Sequence, residues 1–111
     1  MLIYKIFRPA EWQALQSQGS TSGAPIDLAD GYIHISTAEQ VRETAAKHFA
    51  QAGDLVLVSL EADTLGNALR WEVSRGGALF PHLYRDMTMA DVIAHMPLPQ
   101  GPEGHIFPET L

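Results

Sequence analysis

The chain contains no cysteine, which excludes disulfides, thiolate metal sites and a cysteine nucleophile, and agrees with a reducing compartment. Basic residues are scarce as well. Seven Lys and Arg against 13 Asp and Glu leave a formal charge of -6, so non-specific binding to long nucleic acid or to an anionic membrane is not expected. No apolar run approaches the ~20 residues of a membrane-spanning helix. Met1 to Phe7 lack the basic region followed by an apolar run that marks a signal peptide. These absences lead to the expectation of a soluble cytoplasmic protein. There is no internal repeat and no glycine-rich phosphate loop, since Gly76-Gly77 reads as a turn.

What is present is ordinary globular composition, 46% apolar and 18% charged over 111 residues, enough for one core and one domain, 1–111. Ile3 to Phe7 predict an opening strand. Pro9 then begins a short helix that buries Trp12 and Leu15. Gly19 to Gly23 is small and polar, the sequence of a mobile loop suited to a lid. Tyr32 to Ile35 predict a strand, and Ser36 with Glu39 reads as a capping box opening a helix from about Thr37 to Ala52. Its apolar stripe takes in Val41, Ala45 and Phe49, with His48 in the same stripe and Gly53 as the stop. Leu55 to Glu61 is hydrophobic enough for a central strand. Ala62 to Leu69 is a helical turn or loop, and Arg70–Ser74, Leu79–Tyr84 and Asp91–Met96 predict further strands. The Pro- and Gly-rich tail from Pro97 reads as a surface strap. Strands and helices mixed without βαβ regularity argue an α+β fold.

Three polar pairs stand out, each on one face of a strand: His34 with Ser36, Arg70 with Glu72, and His82 with Tyr84. Three such strands can line one cleft. Arg70, Arg75 and Arg85 make their segment locally positive despite Glu72 and Asp86, so a small anionic ligand suits a chain that repels polyanions. A metal site would need His34, His48 and His82 to converge, with Glu72 as a fourth ligand. No two histidines have the close spacing of a local metal motif, and no metal is assigned. A Ser-His-acid hydrolase is a weaker reading still, because Ser36 lacks a glycine-flanked elbow.

Gly31-Tyr32-Ile33-His34-Ile35-Ser36-Thr37-Ala38-Glu39-Gln40-Val41, His48-Phe49, Arg70-Trp71-Glu72, Phe80-Pro81-His82-Leu83-Tyr84, Pro97-Leu98-Pro99 and Phe107-Pro108 together resemble a bacterial family, domain of unknown function 952. The resemblance covers nearly the whole chain. It implies a fold similar to the ADP-ribosyltransferase superfamily, with two small, mostly antiparallel sheets around a cleft that holds NAD in active relatives. The His34-x-Ser36 strand resembles the His-Leu-Ser strand of the RNA 2′-phosphotransferases in that superfamily. The implied roles are His34 and Glu72 as catalytic residues, and Ser36, Arg70, His82 and Tyr84 as ligand-binding residues. The implied ligand is NAD or a related phosphorylated nucleotide, with ADP-ribose transfer as the reaction and a non-catalytic binding module as the alternative. A full His-Tyr-Glu or Arg-Ser-Glu triad is not matched in order, and Glu72 lies earlier than the usual late glutamate.

Overall fold

The computed structural model describes the backbone of all residues 1–111 and every side chain except that of Arg75. Two antiparallel sheets organise the chain. The larger has the strand order β4 (Ser36–Thr37), β1 (Leu2–Phe7), β5 (Leu55–Glu61) and β9 (Val92–Leu98); the smaller has the order β3 (Ile33–His34), β7 (Leu79–Leu83) and β6 (Leu69–Val73). Two-residue strands complete the pairing, β2 (Ser20–Thr21) with β8 (Met87–Thr88) and β10 (Gln100–Gly101) with β11 (Gly104–His105). The helices are α1 (Pro9–Gln18), α2 (Pro25–Asp30) and α3 (Val41–His48). Among the described residues no helix is long and apolar enough to cross a membrane.

β1 and β5 carry largely apolar sequence because core lies on both of their faces. Ile3, Phe7, Val58 and Leu60 join Trp12, Leu15 and Leu83 in one core. Tyr4, Ile6, Leu55 and Leu57 join Val41, Ala45 and Leu98 in a second. The predicted opening strand, the first helix, the central strand and the strap all appear; Phe107 and Leu111 of the tail pack on the second core.

Three elements differ from expectation. Ser36 and Thr37 do not start a helix. They pair with Tyr4 and Ile3 of β1; a turn closed by Gln40 Oε1 accepting from the Thr37 N–H at 3.0 Å follows, and the helix starts only after Gln40, its N-cap. The helix is therefore eight residues, Val41–His48, and Phe49 is half-buried while His48 is exposed. The Gly19–Gly23 segment is not free. Ser20 and Thr21 pair with Thr88 and Met87, and Ser22 Oγ donates to Asp86 at 2.8 Å. Finally, α2 was not expected from apolar periodicity, because only Asp27 of its six residues is buried.

Candidate functional site

The chain changes sheets between His34 and Ser36. Ile33 and His34 pair with Leu83 and His82 of β7, Ile35 N–H donates to Pro81 O at 3.1 Å, and Ser36 then pairs with β1. This crossing carries His34 and Ser36 to a cleft of about 660 Å³ whose walls include Tyr4, Arg8, Phe49, Phe80 and His82. Ile33 and Ile35 are buried in the first core, and Ile35 also borders the cleft.

Beneath the cleft lies a buried ion pair. Asp27 Oδ2 accepts from Lys5 Nζ at 2.8 Å and from the Ala24 N–H at 2.8 Å. Asp27 Oδ1 accepts from the His34 N–H at 3.0 Å and meets His34 Nδ1 at 2.6 Å. Lys5 Nζ also donates to His34 O at 2.8 Å. Burial by itself pushes the Asp27 carboxyl up, but the His34 hydrogen bond and the Lys5 charge outweigh it and hold the group at about 2. Burial likewise lowers the Lys5 ammonium, with Asp27 opposing. The second ring nitrogen of His34, Nε2, lies 2.9 Å from Asp30 Oδ2. Both carboxylates are satisfied together when the ring donates from both nitrogens.

The smaller sheet supplies a second dyad. Its register aligns Arg70 with His82 and His82 with His34 across three strands. Glu72 Oε1 accepts from Tyr84 OH at 2.6 Å and lies 2.9 Å from His82 Nδ1. These bonds, Tyr84 first and His82 second, hold the Glu72 carboxyl below its ordinary range and raise the Tyr84 phenol. Tyr32 stacks on both histidines, its ring centroid 4.7 Å from His34 and 4.1 Å from His82.

Of the residues singled out from sequence, His34, Ser36 and His82 line the cleft. Glu72 shares their sheet face but touches the cleft only through His82. Tyr84 lines a separate cavity of about 210 Å³ with Tyr32 and Arg85, and the Arg70 guanidinium lies over the Tyr84 ring at 4.5 Å. The side chain of Arg75 is outside the described residues. His48 belongs to the cleft rim rather than the core. Among the described residues no group of three or more metal-ligating side chains is arranged around one point.

Sequence patterning alone does not pick out Asp27, Lys5 or Arg8. The signals for the first two are nonetheless legible: Pro25 and Asp27 have the spacing of a helix first turn, with Gly31 as its left-handed end, and Lys5 interrupts an apolar strand. Arg8 carries no such signal; its guanidinium is brought over Phe49 at 4.9 Å by tertiary packing.

No curated protein matches the chain. Among solved structures, the crystal structure of protein CC0527 from Caulobacter crescentus is 50% identical, with a TM-score of 0.91 over 95% of this chain and 92% of that one. The solution NMR structure of CC0527 is 50% identical as well, with a TM-score of 0.84 over 94% and 90% of the two chains. The sequence model of one family matches residues 6–95. That span takes in both histidine dyads and the strands that align them, and the chain belongs to the family described as Protein of unknown function (DUF952).

Proposed function

We propose that the cleft binds a small anionic ligand of the nucleotide class, with NAD the first to test, and that it binds without transferring ADP-ribose. The observation that carries this reading is the convergence of His34, Ser36 and Arg8 on one cleft with apolar walls. An imidazole and a hydroxyl suit ribose oxygens, a guanidinium suits a phosphate, and Phe49 with Phe80 suits a base. His34 is held from below by buried Asp27, so its orientation is set before a ligand arrives. Asp30 is the replaceable partner. Its carboxylate is 41% exposed, and a ligand oxygen can take its place at His34 Nε2.

A transfer reaction in the manner of the ADP-ribosyltransferase superfamily needs a carboxylate beside the reacting ribose carbon. Glu72 would fill that role, yet its carboxylate is engaged by His82 and Tyr84 and is not part of the cleft lining. This favours the non-catalytic alternative.

Thermal unfolding with NAD, ADP-ribose and ADP provides the test. A ligand at a hundred times its dissociation constant stabilises the fold by about 2.7 kcal/mol, a shift of several degrees in a domain of this size. Arg8→Ala, a change at an exposed guanidinium, should abolish the shift at the same concentration. No shift with any of the three removes the reading.

A further inference from the structure

The two histidines of the cleft are held in different ways. His34 faces a carboxylate at each ring nitrogen, so neither nitrogen offers a lone pair to the cleft. His82 faces one, Glu72, at Nδ1. Glu72 already accepts from Tyr84 OH and is held ionised by both partners. A carboxylate only accepts, so Nδ1 carries the proton in its bond to His82.

That leaves Nε2. The ring is almost wholly buried, 2% exposed. No buried side-chain nitrogen or oxygen among the described residues lacks a partner, and the hydrogen bond described for this ring is the one at Nδ1. Nε2 therefore keeps contact with open space, and the open space beside His82 is the cleft. The His34 ring lies 5.5 Å away, centroid to centroid.

We propose that His82 is the hydrogen-bond acceptor of the cleft: Glu72, backed by Tyr84, keeps the ring proton on Nδ1, and Nε2 accepts from a sugar hydroxyl, so that the site takes a ribonucleotide in preference to its deoxy counterpart. This rests on the nucleotide reading and adds a chemical requirement to it. A ligand without the hydroxyl leaves the acceptor dry and unpaired, which is a strong basis for rejection. Glu72 and Tyr84 act here through His82, as positioning residues.

Two measurements test it. The first is ligand-free: the ring ¹⁵N shifts of His82 at pH 7.5 should show Nδ1 protonated and Nε2 bare. Glu72→Gln should move the proton toward Nε2, because the amide can donate to Nδ1. A proton on Nε2 in the wild-type protein overturns the inference. The second compares ADP with 2′-deoxy-ADP and 3′-deoxy-ADP by calorimetry. At least one deoxy form should bind tenfold or more weakly to the wild type, and His82→Phe should erase that difference. If that variant does not fold, Glu72→Gln should narrow the difference instead. Equal affinity of the wild type for all three overturns the inference and leaves nucleotide binding standing. Failure of ADP, NAD and ADP-ribose alike to bind removes the nucleotide reading, and this preference falls with it.

Discussion

Asp27 is the residue on which the site depends. It is fully buried, accepts two backbone N–H groups and touches both Lys5 and His34. Asp27→Ala leaves the Lys5 ammonium buried without its counter-charge, and the expected loss is about 3–5 kcal/mol by urea unfolding. The same carboxylate predicts acid sensitivity. Its folded value of about 2 lies below the ordinary ~3.9, so its stabilisation is complete above the unfolded value and drains away as pH falls through the folded one. The amount at stake is ~2.5 kcal/mol between about pH 5 and pH 1. Urea midpoints of the wild type should fall over that window more steeply than those of Asp27→Asn; parallel curves would contradict the assignment. Asp30 predicts a gain instead. If it competes with the ligand at His34 Nε2, Asp30→Ala should tighten nucleotide binding by about tenfold, near 1.4 kcal/mol, and weaker binding in calorimetry would show that Asp30 helps to hold the ligand.

At the scale of elements, α2 exists to deliver that carboxylate. Pro25 starts it because a missing N–H is harmless in a first turn, and Asp27 follows at the third position, where acceptor and helix dipole agree. Gly23 enters with φ of 105°, and a Cβ there would overlap the Asp27 side chain. Gly23→Ala is therefore expected to cost well over 1 kcal/mol, the scale of left-handed strain by itself, and to disturb the His34 resonances. Unchanged stability and spectrum would mean the turn relaxes freely. The α3 helix shows the opposite logic. Its first predicted turn is taken by β4 and the turn after it, since Ser36 and Thr37 gain strand pairing with β1 and the helix begins only after Gln40. Phe49 is pushed to the cleft wall as a result, so Phe49→Ala should fall short of the 3–5 kcal/mol of a fully buried phenylalanine.

Over the whole molecule, β5 ties the structure together. It lies between β1 and β9, and its alternate side chains enter the two cores, Leu57 one and Leu60 the other. Leu57→Ala and Leu60→Ala should each cost about 2–5 kcal/mol. Each variant should unfold in a single transition, because a strand shared by both cores couples them. Two resolved transitions in either variant would show that the cores melt separately.

Local chemistry determined much of this in advance. Pro9 at a helix start and the nearly continuous apolar run of Leu55 to Glu61 depend on near neighbours, and each appears where the sequence places it. The face shared by Arg70 and Glu72 follows from the strand period. Tertiary structure decided the rest. Lys5, Asp27 and His34 are 22 and seven residues apart along the chain, and no periodicity brings them to one point. Ser36 reads locally as a helix cap and becomes a strand because β1 offers it a partner. Glu72 has the residue type of a catalyst, and the register between distant strands sets its carboxylate against His82 and Tyr84. Pairing energies between distant segments settled each of these outcomes, and a linear sequence carries no direct mark of them.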